Sequence, residues 1–474
     1  MSATVSIFSK TIVVQLYLLR MNPSVFLLLL LSLGTMSACK SSKVVSAEKV
    51  SRLLEKDSLL DNAHVGISVY DVSSKKFLYQ YQSDKYFVPA SNIKILSCYV
   101  GMKYLDSLID GVKWIDLDTA ILLIPTGDPT FLHPDFAEQP VVKFLQQEKR
   151  PVYIDASLWM SEIFGLGWSW DDYNEYYMVE RSALPAFGNV IRWHQSVSKK
   201  ENPQHAADTV DRFIYSDPEV NWPVNFAGSG KAGVFSVTRN INRNEFTLNE
   251  GGWTDVSLDV PYITSGIQSA LELIKDTVHH EISALENSSA FQSSGQDKIS
   301  HTIKSQRTDT LLKIMMHRSD NFFAEQILLM SAVNKIGVMS DRQMIQEMLN
   351  NDLRDFPQSP RWVDGSGLSR YNLFTPDDFV WLLQKMKDEF GMERIAAIFP
   401  SGGMGTLTWF TAGMHNRVIA KSGSLSGVLA LSGYLNARSG KPIIFSILIN
   451  NFRSSPALLR KRIEKYLMEL SGQH

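Results

Sequence analysis

Pro89-Ala90-Ser91-Asn92-Ile93-Lys94 puts a hydroxyl and an amine three residues apart at the start of an apolar-periodic run. Ile93, Leu96, Val100 and Tyr104 fall on one helical face of that run. On a helix, residues three apart project from the same side, so Lys94 reaches Ser91. An amine beside a hydroxyl at the positive end of a helix can take up its proton, which makes the pair a nucleophile and its base. Serine is also favoured in a first turn for capping alone. Ser-x-x-Lys recurs at Ser37, Ser46, Ser73 and Ser196, so spacing by itself decides nothing. Only Ser91 has a strand pattern before it and an amphipathic helix after it.

Two further stretches supply partners. His317-Arg318-Ser319-Asp320-Asn321 holds the chain's one Ser-x-Asn, a hydroxyl and an amide able to relay a proton and hold a substrate amide. The same residue types favour a cap between two helices. Ala420-Lys421-Ser422-Gly423-Ser424 stands just ahead of a strand pattern at 428–434. A cation, a hydroxyl and a glycine at a strand edge suit a carboxylate and allow close backbone approach. Arg438-Ser439-Gly440 has the same form but separates two strand patterns, as a turn does.

In that chain order, Ser-x-x-Lys, Ser-Asp-Asn and Lys-Ser-Gly resemble the signature of penicillin-binding proteins and serine β-lactamases. Other stretches narrow the resemblance: Arg318 to Asn321 continuing into Ala324-Glu325-Gln326, Asp364-Gly365-Ser366-Gly367-Leu368-Ser369, Gly403-Met404-Gly405-Thr406-Leu407, and residues 421–434. Over roughly residues 60–474 the chain resembles the D-alanyl-D-alanine carboxypeptidase/endopeptidase family, the low-molecular-mass class C penicillin-binding proteins. Ser91 and Ser319 stand 228 positions apart, which fits a family that inserts domains there, whereas β-lactamases have a much shorter gap. Ser422 replaces the commoner threonine but keeps the hydroxyl, and Ser182-Ala183-Leu184-Pro185 echoes the inserted-domain pattern only loosely.

The resemblance implies a serine peptidase acting on peptidoglycan stem peptides, with β-lactams as covalent inhibitors and neither cofactor nor metal. Ser91 would attack the penultimate D-alanine carbonyl and Lys94 would take its proton. Ser319 would relay a proton to the leaving amine while Asn321 holds the substrate amide. The backbone N–H groups of Ser91 and Ser424 would form the oxyanion hole. Lys421 and Ser422, with Gly423 and Ser424, would bind substrate through its terminal carboxylate. A β-lactamase or esterase on this scaffold would share Ser91 and Lys94, but the long insertion argues against it. A non-catalytic wall-binding lipoprotein would use Ser91 only as a cap; intact hydroxyls and amines in all three motifs argue against that.

The elements that must position these groups follow from patterning. Residues 65–69 and 77–81 alternate about Ser73-Ser74-Lys75-Lys76, a β-hairpin signal. The Ser91 helix then runs to about Leu105. A strand at 120–125 ends in Gly127-Asp128-Pro129, and residues 150–265 are rich in short strand patterns, Gly, Asn and Trp. Residues 267–282 read as helical and 285–298 as a polar linker. Beyond 300 come an apolar helical stripe at 311–333 and a helix start at Thr375-Pro376-Asp377-Asp378. Two strand patterns at 428–434 and 442–449 precede a terminal helix carrying Leu459, Ile463 and Leu467.

The expected fold is α+β: an antiparallel sheet flanked by helices, as in the penicillin-binding-protein/β-lactamase-like transpeptidase domain, formed by 40–115 and 300–474. Residues 116–299 are expected as one or two inserted β-rich domains. Residues 25–33 are an apolar run too short to span a bilayer, preceded by Lys10 and Arg20, as in an export signal. It ends in Met36-Ser37-Ala38-Cys39, which resembles a lipobox and implies lipidation of Cys39 at the end of a 1–39 leader. The mature chain would be tethered to a membrane by that lipid on the exported, periplasmic side, with Cys98 as its one cysteine, a buried packing residue.

Composition excludes little else. Of 474 residues, 44% are hydrophobic and 20% charged, ordinary for a chain with a substantial core. A net charge of -2 gives no electrostatic reason for nucleic acid as a partner. Gly228-Ser229-Gly230-Lys231-Ala232-Gly233 matches a dinucleotide fingerprint, but a strand pattern follows it where a helix is needed. His279-His280 reads as a solvated helix end.

Overall fold

The computed structural model describes residues 57–200, 209–227, 233–275, 277–278, 281–285 and 300–473. The leader with Cys39, residues 228–232, His279-His280 and the polar run from 286 lie outside the described residues.

β1 (His64–Asp71) and β2 (Lys76–Tyr81) form the expected antiparallel hairpin, with a bulge at Val69/Tyr70. A 3-10 turn at Ala90–Ile93 leads directly into α1 (Lys94–Tyr104). The chain then builds β3 (Leu108–Asp116), β4 (Ile121–Pro125), α2 (Pro140–Gln147) and β5 (Val152–Ile154). Next are β6 (Val190–Lys200), β7 (Thr209–Asp217), β8 (Val224–Phe226), β9 (Ser236–Arg239), β10 (Phe246–Asn249) and β11 (Val256–Pro261). α3 (Gln268–Ile274), β12 (Ile282–Ala284) and β13 (Ser300–Arg307) follow. Four helices come next: α4 (Thr308–Arg318), α5 (Asn321–Ile336), α6 (Asp341–Asn350) and α7 (Pro376–Ile398). β14 (Val418–Leu425), β15 (Val428–Asn436), β16 (Pro442–Asn450) and α8 (Pro456–Gln473) complete the order.

The central sheet has the order β14-β15-β16-β1-β2 and is antiparallel throughout. β15 is buried along its whole length except Asn436, because α7 covers one face and α8 the other. That double cover explains why its sequence reads as an apolar run without polar alternation. α8 buries Leu459, Ile463 and Leu467, the expected stripe. α7 starts where expected, with a capping box: Thr375 and Asp378 each accept from the other's backbone N–H. α1, α4, α5 and α7 share one apolar core with the inner face of the sheet, and Cys98 lies inside it, its thiol pKa raised by burial.

Between α1 and α4 the chain makes a second five-stranded sheet, β12-β5-β4-β3-β13, packed on α2 and α3. Two three-stranded sheets, β11-β6-β7 and β8-β10-β9, enclose a separate core around Trp193, Phe246 and Tyr262. The five-stranded sheet begins at Leu108 and ends at Arg307, so its outer pair reaches beyond 116–299 on both sides. Asp110, Gly111 and Lys113 interrupt the apolar alternation of β3 and hide the strand. Residues 267–282 are not one helix: α3 stops at Ile274 and Ile282 already belongs to β12. Among the described residues, no helix is long and apolar enough to cross a membrane.

Candidate active site

Ser91 sits inside the 3-10 turn, and no side chain caps either the turn or α1. The turn is held instead by Asn92, whose Nδ2 donates to Ser432 Oγ on β15 at 2.7 Å. Ala90 takes a left-handed φ of 47°, a conformation that non-glycine residues hold only when their surroundings impose it. Lys94 opens α1 and is fully buried. Its Nζ donates to Ser91 Oγ at 3.1 Å, Asn321 Oδ1 at 2.6 Å and the Ser366 carbonyl at 2.7 Å. Burial lowers its pKa to about 8, against the opposing pull of Asp364, Asp320 and Glu325.

The apolar stripe expected at 311–333 is two helices, broken where the second motif lies. Ser319 ends α4 with a φ of 60° and Asp320 caps α5 by accepting the Phe323 N–H at 2.8 Å. The capping alternative is therefore realised, by Ser319 at the end of α4 and Asp320 at the start of α5. Asp320 caps, which leaves Ser319 and Asn321 to face the cleft. Asn321 Nδ2 donates to the Tyr177 carbonyl at 2.9 Å, so its amide is held at both ends.

The third motif lies within a strand, β14, where Lys421, Ser422 and Ser424 obscured the apolar alternation. Lys421 is fully buried, and its Nζ donates to Ser319 Oγ at 2.9 Å and to the Ser422 carbonyl at 2.7 Å. Burial and the neighbouring Lys94 hold its pKa well below the usual lysine range. Ser422 Oγ donates to Thr406 Oγ1 at 2.7 Å, and Arg460 donates to Ser424 Oγ at 3.3 Å. A Cβ on Gly423 would lie 2.9 Å from the Ser91 nitrogen and 2.8 Å from the Pro89 carbonyl oxygen. Glycine is what lets β14 press against the Ser91 turn.

A loop at 364–369 closes the far side. Asp364 accepts from the Gly367 N–H at 2.9 Å, the Ser369 N–H at 2.7 Å, Asn372 Nδ2 at 2.7 Å and Trp168 Nε1 at 2.9 Å. Gly367 has a φ of 82°, and a Cβ there would lie 1.9 Å from the Ala90 carbonyl oxygen. In front is a cleft of about 890 Å³ lined by Ser91, Ser319, Asn321 and Ser424, together with Asp135, Tyr177, Arg192 and Asp259. The three motifs thus meet at one cleft, with a buried amine behind each of the hydroxyls of Ser91 and Ser319.

A family model described as D-Ala-D-Ala carboxypeptidase 3 (S13) matches residues 46–470. The chain belongs to that family. Membership makes it a serine-type D-Ala-D-Ala carboxypeptidase, a hydrolase, as the motif resemblance implied. D-alanyl-D-alanine carboxypeptidase DacB of Haemophilus influenzae is 22% identical over 447 residues, 85% of this chain and 88% of that protein. A D-alanyl-D-alanine carboxypeptidase of an Actinomadura species is 26% identical over 451 residues, 87% and 82%. The crystal structure of penicillin binding protein 4 from Haemophilus influenzae aligns with a TM-score of 0.69 at 20% identity, covering 89% of this chain and 99% of that one. The α+β fold is that of this carboxypeptidase family.

Sequence reasoning missed several residues of the family member's site. Tyr177, Arg192 and Asp259 touch the motifs or the cleft from elements distant in sequence, and no local spacing marks them, while Thr406 was marked only as part of the Gly403 to Leu407 stretch and not as a partner of Ser422. Arg181, 1% exposed, is among the largest fully buried side chains of the described residues, and with Glu180 and Ser182 beside it no local pattern distinguished it.

Proposed function

We propose that this peptidase cleaves peptidoglycan stem peptides through an acyl-enzyme on Ser91. The observation that carries the reading is the buried Lys94 amine, hydrogen-bonded to Ser91 Oγ at 3.1 Å with a pKa of about 8. At neutral pH roughly a tenth of such an amine is unprotonated, far more than for an ordinary lysine. Neutral Lys94 takes the Ser91 proton as Oγ attacks the penultimate D-alanine carbonyl. The backbone N–H groups of Ser91 and Ser424 receive the oxyanion, since Gly423 allows β14 to approach. Ser319 delivers a proton to the departing amine and is replenished by Lys421, and water then releases the acyl group.

Lys421 is assigned first to the Ser319 relay, because its amine is buried and already bonded to that hydroxyl. The substrate carboxylate is left to the β14 edge, where Ser424 lines the cleft and Ser422 stands beside Thr406. Residues up to about 107 and from 308 carry the chemistry, and the inserted region supplies the opposite wall. The protein is exported and held at a membrane by a lipid on Cys39, and crosslinked peptides are cleaved as well as free D-Ala-D-Ala ends.

Incubation with a fluorescent penicillin and then with purified muropeptides tests the proposal. Covalent label on the Ser91 peptide and release of D-alanine are expected. Label on another residue, or intact muropeptides, rejects it. Metabolic lipid label should enter wild type and be absent from Cys39→Ser; an unlabelled wild type would make the leader an ordinary cleaved one.

A further inference from the structure

Two residues outside the three motifs reach Lys94 through a continuous chain of buried hydrogen bonds. Asn321 and Glu325 stand four residues apart on α5 and so share a face. Asn321 accepts directly from Lys94 at 2.6 Å. Glu325, 1% exposed, accepts from the Ser366 N–H at 2.8 Å, and the carbonyl of that same residue accepts from Lys94 at 2.7 Å. The loop and the helix touch here, since a Cβ on Gly365 would lie 2.7 Å from the Ala324 carbonyl oxygen.

The other oxygen of Glu325 receives Arg181 Nη1 at 3.3 Å. Arg181 comes from the inserted region. The same Nη1 donates to Asp341 Oδ2 at 2.7 Å, and its Nε and Nη2 each donate at 3.0 Å to the carbonyls of Glu162 and Phe164. Trp168, under the Arg181 guanidinium, donates to Asp364 of the same loop. The inserted region therefore grips the 364–369 loop directly, through Trp168 and through the Leu166 carbonyl, which accepts from Ser369 Oγ at 2.7 Å, and indirectly through Glu325.

Resting on the assignment of Lys94 as the base for Ser91, we propose that Glu325 and Arg181 are positioning residues for catalysis. They fix the Ser366 backbone so that its carbonyl aims the Lys94 amine at Ser91 and holds its proton affinity in the working range. The charges around the pair are consistent with this. Glu325 is pushed up to about 7 by burial and Asp364, while Arg181 pulls it back. Lys94 in turn faces Asp320, Asp364, Glu325 and Lys421. Removing the Glu325 charge and loosening the Ser366 carbonyl both take support from the protonated amine, so both lower the pKa of Lys94.

The test is the rate of acylation by a fluorescent penicillin across pH, on the full-length protein, with Glu325→Gln and Arg181→Met. Both variants should acylate at least about tenfold more slowly at the plateau, with non-covalent affinity little changed and the rising limb displaced to lower pH. The double variant should be no slower than the worse single one, because the two act as a unit. Superimposable pH profiles, or a slower rate on an unmoved limb, in variants that keep the wild-type circular dichroism would overturn the inference alone. Wild type that is labelled at a residue other than Ser91 would overturn the base assignment, and the inference with it. Should the substitutions unfold the chain, amide hydrogen exchange of wild type decides. Protection of the Ser366 amide must fall as Glu325 gains its proton, and pH-independent protection excludes the link.

Discussion

The two walls of the cleft are built on opposite terms. On the sheet side, Lys94 and Lys421 are fully buried, every donor aimed at a hydroxyl, an amide or a carbonyl, with both amines displaced from the usual lysine range. On the inserted side, Arg192 pairs bidentately with Asp259 at 2.7 and 2.8 Å while the side chains stay 42% and 32% exposed, and Asp135 reaches across to pair with Arg318 at the end of α4. Water screens such pairs, so each contributes on the order of 0–1 kcal/mol. The dry wall changes what its groups are; the wet wall changes only what approaches them. In the proposed mechanism the chemistry and the carboxylate site both belong to the dry wall, and the wet wall meets the remainder of the substrate.

The sharpest way to break that division is at the nucleophile. Ser91→Ala should abolish covalent labelling and lower muropeptide hydrolysis by about 10⁴-fold or more, without a change in melting temperature beyond a few degrees. Residual labelling of the folded variant would move the chemistry elsewhere. The pH profile of wild type comes next. Only neutral Lys94 accepts the Ser91 proton, so acylation should climb nearly tenfold per pH unit below about 8 and level off above it. A flat profile between about pH 6 and 9 would mean that the amine is not the base.

Gly423→Ala is a steric test of the same wall. A methyl group 2.9 Å from the Ser91 nitrogen meets backbone on both sides, so the strand or the turn must shift. A loss of roughly 100-fold in acylation rate is expected, since a displacement of about 1 Å is enough to cost that much. Near-normal rates would show that the β14 approach is not needed.

Lys421→Ala should lower kcat/KM by about 10- to 100-fold on free-acid stem peptides and equally on the amide-capped forms, as befits a proton relay. A loss confined to the free acids would return Lys421 to carboxylate recognition. The smallest effect belongs to the wet wall. Arg192→Ala should slow acylation by a small penicillin no more than about threefold. A tenfold loss there would erase the contrast between the walls.

The central sheet was legible because its strands carry their signal locally: alternation in β1 and β2, apolar continuity in β15 and β16. The three motifs were legible for a different reason, since their residue types and chain order match a known arrangement. What escaped was polar sequence in regular structure. Lys421, Ser422 and Ser424 point to a site from within β14, and Asp110 with Lys113 does the same to β3, so function and surface charge overwrote the alternation. The break at Ser319 was marked only by the capping residue types Ser, Asp and Asn, because the apolar stripe continues on both sides of it and Asp320 restarts the helix. Arg181 was beyond reach, and Glu325 was marked only as part of the Ala324-Glu325-Gln326 stretch: their meaning lies in a contact 144 positions apart.

The pairing of β1 with β16 sets His64 opposite Asn450, so the strand preceding the nucleophile finds its neighbour almost a full chain length later. Closing so large a loop costs little more than closing one half its size, about 0.6 kcal/mol per doubling, which is why a long insertion between the motifs is thermodynamically tolerable. The consequence falls on timing. During vectorial synthesis or translocation the Ser91 segment emerges hundreds of residues before β14, β15 and β16 exist to receive it. Until then Asn92 lacks Ser432, Ser319 lacks Lys421, and Ser91 has no strand edge against it. A nascent chain of this topology is inert by construction, and its hydrolytic power arrives only with the last strands to emerge.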